Sequence, residues 1–561
     1  MLLPLRKFGS AGISTGDDCA EADLPPNAFT EADGGAFRDK QAKKTYGYTS
    51  VIQDFPEDVY WFQGWETETE VHIAFCATDD IYTTTDGQYV AEAILNNQAG
   101  AVIANLTTTS TDWQSEVFGT FCILNNGTDI PMYSLSKAAG PPVVWTFKQI
   151  PGWGTGPTGG VSSIRAAFNH LIALGVDAFP YTIFTSVVGS PEAMPTSWDY
   201  ATPGTTAKRF PLQSSGGPII DGGMLSGRFI VYQRYKCSTL SYVGGNYVFQ
   251  STPLFDIGLI NKGAFLQFEN WHLVVGEKEI VIHDGSSIKR PDDNRVRVRF
   301  YGELVSKASV RCSPCDKNHE VLIHYDGNRI LIYNYLEDTW TFETIGNEVK
   351  RIARAVGPAA VLSWSDLTMS WADATFSWAS MDVVDRNTKL YQLRARSLDL
   401  RNVGFTHVGG SADYALEAGT SRLSGDSGIL VEGSSGSSDR LIWDDGETVE
   451  FDAYLERNYI DLDELTGDAA HVKRVDGAYL QIKGQGLCDV QFGISDTVRD
   501  TVRWGEKRTI DFDSESDREK IDVRLAGRYL HWRIGSWDAA LNTGYWQISG
   551  MDLDVDMESL R

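Results

Sequence analysis

Cysteine is scarce and odd in number. Cys19, Cys76, Cys122, Cys237, Cys312, Cys315 and Cys488 are scattered over 561 residues, which excludes a disulfide scaffold and fits assembly in a reducing cytoplasm. No run of ~20 apolar residues occurs, so no membrane-spanning segment is expected. The opening MLLPLRKFGSAG, broken at Pro4 and charged at Arg6 and Lys7, is too short for a signal peptide. There are 9 His, and no HExxH, GxSxG or Walker pattern, so hydrolase and nucleotide chemistry have no motif to rest on. Positive charge is also in short supply: 49 Lys and Arg face 75 Asp and Glu, a formal net charge of −26. Such a surface repels a phosphate backbone, and sequence-specific reading of nucleic acid is not expected. The acid is uneven, with 26 Asp/Glu against 14 Lys/Arg from Leu441 to Arg561.

Two local features invite a chemical reading. Cys312-Ser-Pro-Cys315 is a lone CxxC with His319 four residues on. Zinc would need a fourth ligand at a plausible spacing, and a tight turn is the simpler reading. Asp366 and Asp373 could be paired as carboxylates, but with 75 acidic residues such pairings arise freely on a solvated surface. The expectation is therefore no catalytic residue, no cofactor and no bound metal.

What the chain does contain is material for strands. Hydrophobic residues make up 42% and aromatics 11%, with 54 Gly and 23 Tyr, a balance that favours sheets and tight turns over helices. Runs of strand length recur at Val71–Phe75, Phe118–Leu124, Arg228–Tyr232, Leu273–Val275 and Val321–Tyr325. Between them stand the hairpin dipeptides Asp86-Gly87, Asn126-Gly127, Gly244-Gly245, Asp284-Gly285 and Asp326-Gly327. Their spacing of ~40 residues, or a multiple of it, is that of β-propeller blades. Asp221-Gly222 falls off this period, and a long array of β-sandwiches is the structural alternative. Trp198-Asp199 and the series Trp364, Asp366, Trp371, Asp373, Trp378 supply large aromatics able to seal small sheets.

The chain is accordingly expected to be all-β, with a β-propeller-like domain of short antiparallel blades and an additional C-terminal β-sandwich-like domain. Residues 1–50 read as a loop-rich segment packing on the propeller, and residues 51–350 as six or seven blades. Within the latter, 163–176 reads as a strand pair or an amphipathic helix, with the blade spacing preferring strands. Residues 351–440 read as a Trp-rich connector with a Gly/Ser-rich insertion from Gly409 to Arg440. A short helix is expected over Val349–Val356, ending at Gly357-Pro358. Residues 441–561 resume period-two alternation and read as the sandwich, with Leu530, Trp532, Ile534, Trp546 and Ile548 pointing inward.

Two end segments carry a family resemblance. Ala22–Gly47 (ADLPPNAFTEADGGAFRDKQAKKTYG) resembles the N-terminal signature of tail proteins from short-tailed bacteriophages, and Ile521–Val555 resembles the C-terminal end of the same group. Phe229–Tyr235, Val274–Gly285 and the Trp364/Trp371/Trp378 series are similar to its intervening parts. The group is the tail-nozzle, or tubular tail B-like, family. The resemblance implies a propeller with added β domains and a homo-oligomeric ring of six copies in the virion tail, made in the host cytoplasm. It implies phage adaptor and portal proteins and tail fibres or spikes as partners, an adaptor-facing platform as the alternative seat of residues 1–50, and genomic DNA passing through unread. The alternative is a glycan-binding or polysaccharide-depolymerising propeller. Its enzymatic version needs two carboxylates converging across a glycosidic bond, and no Ser-x-Asp-x-Gly-x-Thr-Trp run is found.

Overall fold

The computed structural model describes residues 1–560 apart from 16–19, 53–54, 56, 68–70, 79, 86–87, 92, 96–101, 104–109, 138–144, 246–247, 294, 347, 357–387, 403–406, 409–428, 432–441, 445–447, 450–452, 470, 499, 513–519 and 538–544. The Trp364/Trp371/Trp378 series, Asp366 and Asp373, most of the Gly/Ser-rich insertion and the Asp86-Gly87 turn therefore lie outside the described residues.

Seven antiparallel sheets follow one another along the chain, each a meander built from an inner strand outward. The inner strands are Trp61–Glu66, Gln114–Phe118, Val161–Ala167, Ile219–Leu225, Phe265–Gln267, Arg311–Cys315 and Val349–Val356. Each packs against the inner strand of the next sheet, and the seventh packs against the first, so the ring closes. The protein is a seven-bladed β-propeller. Blade seven takes its fourth strand from the other end of the chain: Tyr48–Ile52 pairs antiparallel with Leu398–Arg401, Thr49 opposite Leu400. Closure in this way ties the start of the propeller sequence to its last blade, while each blade keeps its short outer edge.

The blade boundaries depart from the sequence expectation. The propeller runs to Arg401, and residue 350 falls inside blade seven. Val349–Val356 is an inner strand, paired along its length with Thr388–Arg394, and not a helix. Its Lys/Arg/Ala content favours helix locally, but ladder partners on one side and the neighbouring inner strands on the other override that weak preference. Segment 163–176 is a strand pair, Val161–Ala167 and His170–Val176, turned at Phe168 and Asn169, both at positive φ. The dipeptide turns do not mark one fixed place in each blade. Asn126-Gly127 and Asp326-Gly327 follow the second strand, whereas Gly244-Gly245 and Asp284-Gly285 follow the third. Asp326 (φ 49°) and Gly327 (φ 79°) both adopt the left-handed region, in a three-residue turn between the paired Tyr325 and Arg329. The blade repeat is also longer and less regular than ~40 residues, with inner strands beginning at 61, 114, 161, 219, 265, 311 and 349.

Residues 1–50 are loop-rich from Lys7 to Thr30, where no strand lies among the described residues, but they also hold five strands that tie the segment to the propeller and to the C-terminal part of the chain. Leu2–Arg6 pairs with Trp546–Leu560, and the hairpin Gly35–Arg38/Gln41–Lys44 lies on the other part of the same long strand. Glu31–Asp33 sits between Thr339–Thr344, the outer strand of blade six, and Ala453–Asp461. Blade six thereby continues into a ten-stranded sheet through Ala453–Asp461, Tyr529–Ser536 and Leu487–Ser495. This sheet faces a second one that contains His471–Gly484, Lys520–Ala526 and Trp546–Leu560. The two share a core in which Leu530, Trp532, Ile534, Trp546 and Ile548 are all buried, as their alternation implies. The sandwich thus borrows strands from both ends of the chain, and its core is continuous with that of blades four to six.

Candidate functional site

The inner strands converge on the propeller axis, and there the chain places an unusual set of side chains. A cavity of about 220 Å³ is lined by Trp61, Gln114, Ser115, Arg165, Lys262, Phe265, Arg311, Cys312 and Arg351, among others. These residues come from blades one, two, three, five, six and seven, with Lys262 on the entry to blade five. The lining is drawn from many separate strands, with neighbours such as Gln114 and Ser115 or Arg311 and Cys312 both reaching it, so no local motif arises.

Three of the four cations are paired with a carboxylate, although Arg311 and Lys262 share Asp112 and burial still pushes both below their ordinary ranges. Arg165 of blade three grips Asp221 of blade four through two parallel bonds, Nε to Oδ1 at 2.8 Å and Nη2 to Oδ2 at 2.7 Å, and reaches Glu116 of blade two at 3.1 Å. Ser163 Oγ and the amides of Gly222 and Gly263 also donate to Asp221. Burial pushes the Asp221 carboxyl up, but Arg165 and these donors outweigh it and hold the group below its ordinary range. Burial dominates at Glu116 and raises it despite Arg165. Asp112, just ahead of blade two, spans the axis to Lys262 at 3.0 Å and to Arg311 at 3.0 Å.

Arg351 has no such partner among the described residues. Its guanidinium carbon lies 3.1 Å from the centroid of the Trp61 ring, and its buried Nε has no hydrogen-bond acceptor. Burial, then Arg311 and Arg165, push it well below the usual guanidinium range. A guanidinium does not readily give up its proton, so this pressure remains as an uncompensated positive charge. Four cations therefore face the three carboxylates Asp112, Asp221 and Glu116. A cation–π contact offsets part of the cost of burying Arg351; it does not supply an acceptor.

Of the residues singled out in the sequence, Cys312 lines the cavity, and the others lie elsewhere or serve the core. Trp198 is buried and meets Trp153 edge-on at 5.1 Å. Asp199 is a turn residue that accepts from the Ala201 amide at 2.9 Å and from Thr202 Oγ1. Cys312 and Cys315 are not in a tight turn: they belong to the inner strand Arg311–Cys315, and the turn follows at Asp316–Asn318. Strand pairing with Glu320–Tyr325 fixes them in extended backbone, and burial pushes both thiols up, away from the thiolate form that binds metal or attacks. Among the described residues no group of three His, Cys, Asp or Glu is placed to hold a metal ion. Sequence reasoning missed Arg351, Arg311, Arg165 and Asp221. The available signal was Arg in the first strand of three blades, together with the off-period Asp221-Gly222.

Sheet pairing and ring closure define this chain as an all-β protein, a seven-bladed propeller carrying a β-sandwich. No family model and no curated protein matches it. Among solved structures, the chain is similar to the WD40 β-propeller domain of Doa1, at 8% identity and TM-score 0.35 over 63% of this chain and 96% of that one. It is also similar to the AfRom2 CNH domain, at 10% identity and TM-score 0.35 over 63% and 98%. The fold assignment rests on the strand pairing and not on these similarities.

Proposed function

We propose that the chain is a structural virion protein, a bacteriophage tail-nozzle subunit of which six copies form a ring-shaped conduit for genome exit below the portal and adaptor. The observation that carries this reading is where the two family-like segments lie. Ala22–Gly47 contributes Glu31–Asp33 and the hairpin Gly35–Lys44, and Ile521–Val555 contributes Tyr529–Ser536 and much of Trp546–Leu560. These strands are the joint between propeller and sandwich. The resembling sequence thus coincides with the part that makes one continuous body from two folds, as a component under load during ejection requires. A ring of such bodies uses a heterologous interface, one flank of each copy against the opposite flank of the next. The negative surface suits a conduit, because each Lys or Arg contact to phosphate would act as a brake.

The test is electron imaging of assembled tails with this protein labelled. A closed ring of copies between the adaptor and the tail tip is expected; a single copy, or labels scattered on fibres, would refute the reading. The purified chain is further expected to bind duplex DNA negligibly at ~150 mM salt, where charges are screened beyond ~8 Å. Tight, steeply salt-dependent binding would count against it equally.

A further inference from the structure

We infer that the cavity on the propeller axis is a binding site for one small oxyanion, a carboxylate or a phosphate-type group, held by the Arg351 guanidinium with Arg311, Arg165 and Lys262 around it. The inference rests on three features of the same place. The first is the inventory of charge. Asp112 and Asp221 are engaged by Arg311, Lys262 and Arg165, Glu116 by Arg165, and Arg351 alone lacks a carboxylate among the described residues. The second is geometry. Trp61 covers one face of the Arg351 guanidinium at 3.1 Å, which leaves the in-plane N–H groups as its means of binding. A planar fork of that kind matches an oxyanion with two parallel hydrogen bonds. The third is space: the same residues line about 220 Å³ of empty volume, and an unpartnered buried donor, Arg351 Nε, borders it.

An apolar ligand is disfavoured, since it would leave the charge unmet. A cation would face four positive side chains. The cavity is also too small for a polyanion such as nucleic acid, so the site takes a discrete group. Carboxylate and sulfate or phosphate share the recognition chemistry and differ in charge and shape.

Binding to the full chain would be measured by isothermal titration calorimetry with sodium sulfate, inorganic phosphate and sodium acetate, each against a constant chloride background. At least one of them is expected to bind saturably with a stoichiometry of one. A preference for acetate would assign a carboxylate ligand; a preference for sulfate or phosphate would assign a tetrahedral one. Arg351→Gln is expected to weaken binding at least tenfold and Arg351→Lys to restore part of it. Because a variant at the axis could fail to fold, the wild-type protein would also be crystallised with selenate and the anion located by anomalous scattering. A peak beside Arg351 is expected. An empty cavity, no saturable binding of any of the three anions, or an Arg351→Gln variant that binds as the wild type does would each overturn the proposal.

Discussion

Replacing Trp532 by Ala is expected to loosen both ends of the chain at once. Trp532 lies in Tyr529–Ser536 and is fully buried. Phe8 stacks on it at 5.0 Å and 30°, and Phe29 meets it edge-on at 5.5 Å. Its indole N–H has no hydrogen-bond partner, so the loss on truncation is one of packing and aromatic contact. Removing a buried Trp side chain costs about 3–5 kcal/mol, a range within which two aromatic contacts of about 0.5–1.5 kcal/mol each fall. The upper half of the range is expected because the cavity cannot collapse easily. Phe8 is fixed by the next residue: a Cβ on Gly9 would lie 2.3 Å from the Gln41 amide nitrogen, so the chain there has no room to shift inward. Trp532→Phe, which keeps a ring and forfeits no hydrogen bond, is expected to cost about 1–2 kcal/mol. Urea unfolding followed by near-ultraviolet circular dichroism would give the midpoints, and hydrogen exchange would locate the loosening. Exchange should rise in Trp546–Leu560 and also in Leu2–Arg6, its ladder partner. An Ala variant within about 1 kcal/mol of wild type, or faster exchange confined to one end of the chain, would refute this account of the joint.

Three further outcomes are expected. Stability should fall between pH 6.5 and 4. Burial lowers His272, His283, His324 and His531 to about 4, so the unfolded chain, with imidazoles near pKa ~6.5, binds more protons across that window and the stability present above it is lost. Asp33 and Asp292, raised to about 6 by burial, and Glu116 and Glu456, also raised by burial, act in the opposite sense, while His170, lowered by burial, brings the imidazoles to five against these four; denaturant midpoints at pH 7 and pH 5 would check the sign. Asp292→Asn should change stability at pH 8 by less than about 1 kcal/mol, because the amide oxygen can still accept from the Ile280 amide at 2.9 Å and the lost buried charge is offset by an NH2 group placed where the buried Oδ1 has no partner among the described residues. It should also abolish the gain that protonation of Asp292 gives as pH falls through about 6; a variant with the pH dependence of the wild type would contradict it. Deleting residues 1–52 should open blade seven at Leu398–Arg401 and remove Glu31–Asp33 from the ten-stranded sheet, giving an aggregating chain by size-exclusion chromatography; a soluble monomer with a wild-type melt would show that closure is dispensable.

The strands were legible because period-two alternation is a local property. Val71–Phe75, Arg228–Tyr232, Leu273–Val275 and Val321–Tyr325 lie within single strands, and only Phe118–Leu124 straddles a turn, at Gly119-Thr120. The inward set Leu530, Trp532, Ile534, Trp546 and Ile548 was legible for the same reason. Val349–Val356 was misread because an inner strand flanked on both sides answers to its neighbours, and Arg351 and Arg354 look like helix surface when the axis is not in view. The strands of the N-terminal segment were not legible because they find partners hundreds of residues away, such as Leu3 opposite Leu553. The axial site was invisible for a related reason. Trp61, Arg165 and Arg351 meet only after the ring has closed, and no spacing along the chain announces a ring's centre.

Ring closure also constrains where any conduit can be. Asp112 ties blade two to Lys262 and Arg311 across the axis, and the space left beside these pairs is about 220 Å³. That holds a small ion and cannot pass a duplex, so a genome channel in the proposed assembly must lie between copies and not through any one propeller. The charge pattern divides in the same way. A formal −26 over the whole chain keeps polyanions off the outside, while at the axis four cations outnumber three carboxylates. Outer charges are largely screened beyond ~8 Å at physiological salt, whereas charges inside the cavity are screened far less, so the local excess decides what binds there. One chain can therefore repel a polyanion at its surface and hold a single anion at its centre.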